Sequence, residues 1–375
     1  MTDTLQALID PIRAAAASRT PLRIRGQGSK DFYGASLQGG LLDTRSHSGI
    51  VSYEPTELVI TARTGTPLAE LEAALAEQGQ CLAFEPPRFD GRGSVGGMVA
   101  SGLSGPSRAS VGGVRDYVLG VQMVNGRGEH LTFGGQVIKN VAGYDVSRLL
   151  VGSLGVLGLL TEVSLKVMPL PAAEATLVFE IDQAHALEQL HHWGAQPLPL
   201  NASRWEQGEH EPGEVGLLFV RLRGAGAAVD SAITKMMKDR PGKPVDQTQA
   251  SADWSACRDQ TLPFFNATDH SGQALWRLSL PQTAPALNLL WPQLVEWHGG
   301  LRWVWAPESA GAKLRDLSQA VGGTTMLFRA SEPGTARASD RFDTLEQPLD
   351  QIHARLKAEF DPANIFNPGR MFAAL

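Results

Sequence analysis

Residues 86–166 read PPRFDGRGSVGGMVASGLSGPSRASVGGVRDYVLGVQMVNGRGEHLTFGGQVIKNVAGYDVSRLLVGSLGVLGLLTEVSLK. This stretch is rich in glycine and serine, yet it also contains strand-like apolar runs at 117–124 and 156–167. Glycine costs conformational entropy, so its repeated use indicates positive φ angles or close backbone approach. Backbone amides bared by small residues beside buried strands suit a phosphate-bearing cofactor. The alternative interpretation is a loop-rich domain with many turns.

The composition is that of an ordinary globular protein. The chain has 375 residues, which makes two domains the default, and 43% of them are hydrophobic against 19% charged. A net charge of −6 argues against a nucleic acid or an anionic membrane as partner. The two cysteines, Cys81 and Cys257, cannot build an iron–sulfur or cysteine-rich zinc site alone, and they suit a reducing cytosol.

The N-terminal residues do not read as a signal peptide, because no basic segment precedes an apolar core. The most apolar stretch, 149–160, is too short to span a bilayer. We therefore expect a cytoplasmic protein.

Glycine and tryptophan divide the chain near residue 170. Of the 40 glycines, 25 precede this position, whereas all eight tryptophans follow it. The segment 169–173, PLPAA, reads as a linker. We predict one domain at 1–170 and a second at 171–375, whose tail at 361–371 returns toward the first.

The first domain alternates strand and helix patterns, which predicts an α+β fold. The patterns indicate helices at 4–17 and 146–151 and strands at 21–25, 58–64, 81–85, 118–124, 130–133 and 157–167. The run Asn125-Gly126-Arg127-Gly128 predicts a hairpin turn between two of these strands. Thr66 should cap a further helix that starts at Pro67 and ends at Gly79.

Two glycine-rich loops are candidates for holding phosphate. Gly26-Gln27-Gly28-Ser29-Lys30 follows a short strand and offers a tight nest of amides, a hydroxyl and a cation. Residues 91–96 form a literal G-x-G-x-x-G, but a dinucleotide-binding Rossmann unit needs a buried strand directly before it. Residues 85–90 read EPPRFD, which disfavours such a strand. The alternative is that Ser94 caps a short helix at 95–101 whose N-terminus faces an anion.

The second half predicts a mixed sheet with helices on one side. Its patterns indicate strands at 177–181, 215–222, 275–280, 301–305 and 324–329 and helices at 183–193, 225–238, 284–295, 312–321 and 348–360. Four of these strands carry arginines, namely Arg221 and Arg223, Arg277, Arg302, and Arg329. Arginine binds carboxylates in a bidentate fashion, so a site for a small acid is one interpretation. The other is that these arginines lie on a solvated face or pair with acidic residues.

The histidines do not form a recognisable catalytic or metal site. No H-x-E or H-x-x-E-H motif occurs among them. Glu209-His210-Glu211 reads as solvated charge, and His191 and His192 would point about 100° apart on a helix. Surface histidines are the preferred interpretation, so we predict no metal site and assign no catalytic residue.

Several motifs together resemble the FAD-binding domain of the vanillyl-alcohol oxidase (PCMH-type) flavoproteins. They are RGQGS at 25–29, SVGGMVASG at 94–102, RDYVLG at 115–120 and GSLGVLG at 152–158. KNVAGYD at 139–145, Asp361-Pro362 and Asn367-Pro368-Gly369-Arg370 narrow the resemblance to the FAD-binding subunits of bacterial glycolate oxidases, over essentially the whole chain. The resemblance implies two α+β lobes that grip FAD and a C-terminal α+β domain with a mixed or antiparallel sheet.

The resemblance also assigns cofactor-binding residues. It implies that the segments at 26–30 and 94–101 hold the pyrophosphate and that 155–160 lies along the adenine or ribose. The implied FAD-binding residues are Arg25, Gly26, Gln27, Gly28, Ser29, Lys30, Pro86, Ser94, Val95, Gly96, Gly97, Ala100, Ser101, Gly102, Gly105, Gly112, Asp116, Gly155, Gly158, Leu159, Leu160 and Asn367. Family members with covalently attached FAD often carry a histidine in the first loop; residues 26–30 contain none, so non-covalent FAD is expected.

Three functions agree with this sequence. The resemblance favours an FAD-bearing subunit of a multi-subunit 2-hydroxy-acid (glycolate) oxidase, which acts in electron transfer or assembly beside a catalytic flavoprotein subunit and an Fe–S subunit. These partners would place it peripherally on the inner face of the membrane. A self-sufficient dehydrogenase would use Arg277, Arg302 or Arg329 to hold the substrate carboxylate. A non-enzymatic scaffold with weak FAD binding is opposed by the intact glycine and serine loops.

Overall fold

A computed structural model of the chain describes residues 3–135, 145–207, 215–332 and 341–372. These residues form two compact units. The first contains described residues of Met1–Leu103, Gly113–Pro169 and Gly334–Leu375, and the second those of Ser104–Gly112 and Leu170–Pro333. One boundary between the units falls between Pro169 and Leu170, and residues 104–112 also group with the second unit. The C-terminal segment groups with the first unit, whereas we predict it within the second domain, with only its tail returning.

The helices and strands are numbered in chain order. The helices are α1 Asp3–Ser18, α2 Leu68–Glu77, α3 Val95–Ser101, α4 Arg108–Val111, α5 Val146–Leu149, α6 Gln183–Gly194, α7 Gly226–Asp239, α8 Gln247–Asp259, α9 Gly311–Ala320 and α10 Leu349–Phe360. The strands are β1 Leu22–Arg25, β2 Gly40–Asp43, β3 Ile50–Glu54, β4 Val59–Arg63, β5 Gln80–Cys81, β6 Val118–Val124, β7 His130–Gly134, β8 Leu159–Lys166, β9 Met168–Pro169, β10 Ala173–Ile181, β11 Leu200–Glu206, β12 Gly216–Gly224, β13 Lys243–Pro244, β14 Ala274–Ser279, β15 Gln293–Glu296, β16 Leu301–Ala306 and β17 Thr324–Arg329. Within the described residues, no helix is both long and apolar enough to cross a membrane.

The first unit is built on a five-stranded antiparallel sheet in the order β3-β4-β8-β6-β7. Helices α2 and α3 cover it and contribute Leu71 and Val99 to a core shared with Ile60 and Val163. The glycine-rich segments between the strands stay at the edge of this core, where small residues let backbones approach. The predicted strands 118–124 and 130–133 and their hairpin are confirmed, since the Asn125 side chain accepts hydrogen bonds from the turn amides.

A second cluster attaches the C-terminal tail to the N-terminal strand. Strand β1 pairs in parallel with β2 on one side and forms a parallel bridge from Leu22 to Phe366 of the tail on the other. The Leu22 amide donates to the carbonyl of Ile365 (2.7 Å), and the Asn367 amide donates to the carbonyl of Leu22 (2.9 Å). Ile365 and Phe366 are fully buried against α1. The tail therefore serves as an additional strand beside β1.

A buried ion pair fixes the start of this tail. Lys357 and Asp361 are 4% and 1% exposed, and their charged atoms lie 2.7 Å apart. The Lys357 ammonium also donates to the carbonyls of Val156 (2.7 Å) and Phe366 (2.9 Å). The Asp361 carboxylate accepts the amides of Ile365 and Phe366. All three protons of the ammonium thus have acceptors, which is the condition under which a buried pair is tolerated.

The second unit contains an eight-stranded sheet in the order β13-β10-β12-β11-β15-β16-β14-β17, and every pairing is antiparallel. Helices α6 and α7 pack on one face through Leu187 and Val229, against Leu177 and Leu218. Helix α8 packs on the opposite face, where its Trp254 donates to Thr176. The prediction of helices on one side only is therefore wrong.

Most element predictions agree with the structure, and the exceptions have local causes. The predicted helix 284–295 is wrong, because Pro285 and Pro292 interrupt it and strand β15 begins at Gln293. The predicted cap at Thr66 is also wrong. Its hydroxyl donates instead to the carbonyl of Arg63 (2.7 Å), and α2 begins at Leu68 without a side-chain cap. The predicted strand 81–85 is wrong beyond Cys81, because β5 ends there and a turn follows. Strands β2, β3 and β11 and helices α4 and α8 were not predicted, because none of them has a clear apolar period.

The buried ion pair supports a prediction about stability. Replacing Asp361 by alanine should lower the free energy of unfolding by about 3–5 kcal/mol, because it leaves the buried ammonium without its counter-charge. Urea unfolding followed by circular dichroism measures this loss. Lys235→Met is the matched control, since it breaks an exposed pair with Asp239 at the same spacing and should have little effect. Equal stabilities of D361A and the wild type would contradict the assigned role.

Candidate cofactor site

The predicted loops of the first unit come together around one groove. It consists of two adjoining cavities of about 80 and 90 Å³ that share Gly26, Ser94, Gly97 and Asn367 in their walls. Of the predicted cofactor-binding residues, the groove is lined by Arg25, Gly26, Gln27, Gly28, Ser29, Lys30, Ser94, Gly96, Gly97, Ala100, Ser101, Gly155, Gly158, Leu159, Leu160 and Asn367. Segments far apart in sequence thus meet at one site.

The loop after β1 offers a set of unused hydrogen-bond donors. Among the described residues, no acceptor is found for the backbone amides of Gly26, Gln27, Gly28 and Ser29. Gly28 has φ +76°, and a Cβ at this position would collide with the Arg25 guanidinium. Successive free amides around a left-handed glycine form a nest for an anion. The residues of this loop therefore fit a phosphate group.

Helix α3 closes the opposite wall, but its own amides are already used. Ser94 caps the helix as predicted, since its hydroxyl accepts the Gly97 amide at 3.2 Å. The amides of Val95 and Gly96 donate to carbonyls of the β4–α2 connection at 3.0 and 2.8 Å. The first three residues of this helix thus have no free amide to offer to the anion that was predicted at its N-terminus. The helix contributes small side chains to the groove, and the donors come from the loop at 26–29.

The Rossmann interpretation of residues 91–96 is not supported. Residues 82–93 form no strand, so the G-x-G-x-x-G follows a loop. Gly91 has no atom within 4 Å of a would-be Cβ, and it does not line the groove. The close approach lies at Gly96, where a Cβ would come within 2.7 Å of the Thr64 side chain. This glycine serves the packing of α3 onto β4.

The C-terminal tail supplies two side chains that hold the groove together. The Asn367 side chain accepts the Ile24 amide at 2.9 Å and donates to the Leu154 carbonyl at 2.7 Å. Arg370 lines the groove and donates to backbone carbonyls of the loop, among them that of Asp31 at 3.0 Å. Burial lowers the pKa of Arg370 to about 10, so it remains a cation at neutral pH. The tail therefore connects both walls of the groove.

The loop carries positive charge toward the groove. Lys30 lies over the ring of Phe89, with its ammonium 5.5 Å from the ring centroid. Arg25 pairs with Asp31 at 2.8 Å, but both side chains are about 40% exposed, so this pair stabilises the loop little. Two cations beside four unpaired amides favour an anionic ligand.

Six predicted cofactor residues lie outside the groove, namely Pro86, Val95, Gly102, Gly105, Gly112 and Asp116. Val95 is fully buried in the core of the first unit, and Pro86 is also buried. Gly102 ends α3 in the left-handed conformation, and Asp116 accepts the Gly113 amide at 2.8 Å. These contacts stabilise the local structure.

The two remaining glycines belong to the second unit. Gly112 ends α4 with φ +94°, and the Gly105 carbonyl accepts the indole N–H of Trp297 at 3.0 Å. Of the motifs behind the resemblance, residues 139–144 lie outside the described residues, as does Glu209-His210-Glu211.

Some groove residues were not predicted from the sequence. They are Ile24, Asp31, Leu37, Thr44, Thr64, Leu154 and Arg370. Thr44 and Thr64 each directly follow a strand, and neither belongs to a glycine-rich loop that was singled out in the sequence. Leu154 has φ +50°, and its place within GSLG was the available signal.

The arginine-bearing strands of the second unit do not form a common clamp. Arg302 is fully buried and donates to the carbonyls of Pro285 and Ala284 at 2.7 and 2.9 Å. Arg329 donates to Gln260 at 2.7 Å. Arg277 lies over the indole of Trp297 at 5.2 Å. Arg302 and Arg329 therefore hold structural contacts, and Arg277 places its guanidinium on an aromatic face.

Two titratable groups beside Trp297 were missed, the buried Glu296 and the half-buried His298. Glu296 is 4% exposed and accepts the indole N–H of Trp303 at 2.7 Å, and burial raises its pKa to about 6. His298 has φ +56°, and both of its ring nitrogens lie 3.0 Å from hydroxyls, those of Ser203 and Ser110. Burial lowers its pKa to about 4. The interpretation of all histidines as surface residues is wrong for His298.

His47 is a second exception, since it is 4% exposed and contacts the Thr4 hydroxyl at 3.0 Å. Within the described residues, no group of three or more histidine, cysteine, aspartate or glutamate side chains is arranged to hold a metal ion.

Comparison with known proteins gives the class and then the family. A family model described as an FAD binding domain matches residues 2–134. The chain superimposes on alkyldihydroxyacetonephosphate synthase with a TM-score of 0.66 over 97% of this chain and 75% of that chain, at 16% identity. The fold is thus the PCMH-type FAD-binding fold, the protein is of the FAD-binding oxidoreductase class, and its cofactor is FAD.

The full-length comparison is more specific. The chain is 43% identical over 373 residues to the glycolate oxidase subunit GlcE of Escherichia coli K12, covering 100% of this chain and 99% of that protein. It is 31% identical over 175 residues to the glycolate oxidase subunit GlcD of Bacillus subtilis, covering 46% of this chain and 37% of that protein. The chain belongs to the GlcE family of glycolate oxidase subunits.

The groove geometry yields a prediction for FAD binding. Gly97 lines both cavities, and its would-be Cβ meets only the Ser94 hydroxyl, at 3.2 Å, so a larger side chain would project into the groove. Gly97→Val should lower FAD occupancy and the melting temperature, because cofactor at 100 times its Kd contributes about 2.7 kcal/mol. Flavin absorbance and thermal unfolding with and without added FAD measure both effects.

Gly226→Val is the matched control, since this exposed glycine has no atom within 4 Å of a would-be Cβ and lies in the second unit. Full FAD occupancy in the Gly97 variant would show that the cofactor does not pass this wall.

The buried Glu296 yields a prediction about pH. Its folded-state pKa of about 6 exceeds the ordinary glutamate value of 4.5, so the folded state binds the proton more tightly. The contribution of the protonated Glu296 carboxyl to the free energy of unfolding is therefore complete below about pH 4.5, and it is lost as the pH rises through 6. Glu296→Gln should remove this dependence and raise the stability at pH 7 by about 2 kcal/mol relative to the wild type. Denaturant titrations of both proteins at several pH values measure the difference. If the stabilities of the two proteins changed with pH in parallel, the raised pKa assigned to Glu296 would be contradicted.

Proposed function

We propose that the protein is the FAD-binding subunit of a multi-subunit glycolate (2-hydroxy acid) oxidase. In this role it carries electrons or supports assembly beside a catalytic flavoprotein subunit and an Fe–S subunit. The observation that carries the proposal is the groove with four unpaired amides at Gly26–Ser29, in a chain of the GlcE family. Similarity of part of the chain to a GlcD subunit agrees with a second flavoprotein of related fold as partner.

The loop at 26–30 is the proposed holder of the FAD pyrophosphate. Its free amides supply hydrogen bonds to phosphate oxygens, and Lys30 supplies a counter-charge. Gly155 and Gly158 open the wall on the other side, where the adenine or ribose would lie. Bound FAD supplies the capacity to accept two electrons and to pass them on singly. The chain's own residues bind and orient it, and since no histidine occurs in the loop, we infer non-covalent attachment.

The Ser94 side chain and the tail keep this arrangement rigid. The Ser94 hydroxyl is bound to the Gly97 amide, so it does not compete for the free amides across the groove. Asn367 fixes the separation of the two walls through its hydrogen bonds to Ile24 and Leu154. A preformed groove lowers the entropic cost of ordering the loop when the cofactor binds.

The alternative is a self-sufficient FAD-dependent dehydrogenase of a small hydroxy acid. It needs a base for the hydroxyl proton and a cation for the carboxylate. The neutral imidazole of His298 and the guanidinium of Arg277 are the observations in its favour. Against it, both ring nitrogens of His298 are engaged with the hydroxyls of Ser203 and Ser110, so a bond must break before it accepts a proton. The subunit role therefore has the stronger support.

A cytoplasmic location, peripheral on the inner face of the membrane through the partner subunits, follows from this proposal. It is tested by fractionating cells that contain or lack those partners.

The decisive experiment is anaerobic mixing of the purified, FAD-loaded protein with glycolate while the flavin absorbance is followed. We expect negligible bleaching by glycolate or lactate in the isolated protein, and reduction of its flavin in the full complex. Acid precipitation of the same preparation should leave the flavin in the supernatant. Rapid bleaching without partners would overturn the subunit role and support the self-sufficient dehydrogenase. Flavin that stays with the precipitated chain would refute non-covalent attachment.

A further inference from the structure

The second unit contains a cavity of about 590 Å³ that the FAD site does not use. It lies at the α8 face of the sheet, where the ends of β11 and β12 meet the loop that precedes β15. Arg204, Glu206, Phe219 and Asp253 contribute to its walls. Cavities that hold organic ligands commonly measure about 300–1,000 Å³. The size therefore suits an organic molecule larger than glycolate.

Arg204 is the unusual group in this cavity. The residue is 2% exposed, and its Nε and Nη1 atoms are buried without a hydrogen-bond partner among the described residues. Glu206 lies 3.4 Å from Nε, but the pair is not aligned as a hydrogen bond. A buried guanidinium that leaves donors unsatisfied is costly. Its retention in a cavity wall points to an acceptor that the described residues do not supply.

Aromatic rings fix the orientation of this guanidinium. Arg204 lies over the rings of Phe219 and Trp254, at 4.3 and 5.7 Å from the centroids. Stacking of this kind holds a guanidinium plane in place and leaves its edge for a planar acceptor such as a carboxylate. The donors of Arg204 are thus preorganised.

Besides Arg204, the cavity is lined by apolar side chains, by two carboxyl groups and by the polar side chains of Gln207, His270 and Gln293. Phe264 and Trp291 add aromatic surface, and Leu290, 78% exposed, also lines it. Burial raises the pKa of Glu206, so this carboxyl is neutralised more easily than an exposed one. Together with Asp253 it can accept a hydrogen bond from a hydroxyl of the ligand. The cavity therefore combines a cation, an apolar surface and hydrogen-bond acceptors.

We propose that this cavity binds a small organic acid, whose carboxylate accepts hydrogen bonds from Arg204 and whose apolar body lies against Phe219 and Trp291. The ligand class is an aromatic or branched monocarboxylate. A hydroxyl next to its carboxylate would donate to Glu206 or Asp253. This site is separate from the proposed FAD groove, and its existence does not depend on the subunit role.

The test uses the full-length protein saturated with FAD, so that the groove of the first unit is closed to the probes. Isothermal titration calorimetry compares 3-phenyllactate, 3-phenylpropionate, 3-phenylpropanol and glycolate. We expect 3-phenyllactate to bind most tightly, followed by 3-phenylpropionate. Phenylpropanol, which has no carboxylate, should bind at least tenfold more weakly, since a charge-assisted hydrogen bond contributes about that factor. Glycolate, which has no apolar body, should also bind at least tenfold more weakly, because it buries no aromatic surface in the cavity.

Variants assign the binding to this cavity. Arg204→Gln should weaken 3-phenylpropionate at least tenfold, while Arg240→Gln, which removes the same charge outside the cavity, should leave the affinity unchanged. Leu290→Lys and Leu290→Glu change the charge at an exposed position and do not disturb the core. The lysine variant should bind the acid more tightly and the glutamate variant more weakly. These two Leu290 variants test the location of the binding site if the Arg204 variant fails to fold.

Three results would overturn the proposal. They are no binding of either aromatic acid at millimolar concentration, equal binding of the acid and the alcohol, and affinities that do not respond to the Leu290 substitutions. None of them touches the proposed function, which is judged by flavin reduction. Binding of the aromatic acids to the FAD-saturated protein without a change in the flavin spectrum supports the cavity as the site.

Discussion

The buried ammonium of Lys357 is the interaction on which the cofactor groove depends. It joins the end of α10 to the loop before β8 and to the tail, through Asp361 and the carbonyls of Val156 and Phe366. The tail can then run beside β1 and place Asn367 between the two walls. Desolvation lowers the pKa of Lys357, but the facing carboxylate and two carbonyls favour its charged form. A charge buried at this cost is retained where it fixes one arrangement of several segments.

In the proposed cofactor site, the hydrogen-bond donors available to an anion belong to a loop and not to a helix. The first amides of α3 are bound to the chain itself, so the dipole of this short helix has no free donors to offer. The loop at Gly26–Ser29 keeps its donors free because β1 is held on both sides, by β2 and by the tail. A rigid strand that leads into a loop with free amides needs little reorganisation when a phosphate binds. The glycines are therefore concentrated where backbones face a ligand or one another.

The sequence predicts strands β4, β6, β7 and β8 of the first unit because they are apolar and are bounded by turns, but it misses β2 and β3 and extends β5 to residue 85. The loops around Gly26 and Gly97, which line the groove, have local signals in their glycine and serine content. Thr44, Thr64 and Arg370 could not be predicted from periodicity, because they reach the groove only through tertiary packing. The failed helix at 284–295 shows the opposite error. Its apolar spacing predicts a helix, but Pro285 and Pro292 restrict the backbone and prevent one from forming.

The second unit shows why residue type alone does not reveal a binding group. Arg204, Arg221 and Arg302 are all nearly or fully buried, and composition gives no reason to separate them. Arg302 donates to backbone carbonyls, and Arg221 donates to Asn201 at 2.7 Å. Both compensate their desolvation within the fold, which is the expected state of a structural cation. Arg204 stacks on the same Trp254 as Arg221, but two of its nitrogens, beside an open cavity, have no acceptor in the part of the chain that the structure describes. Because burial and stacking are common to both, the missing acceptor is the difference that indicates a ligand.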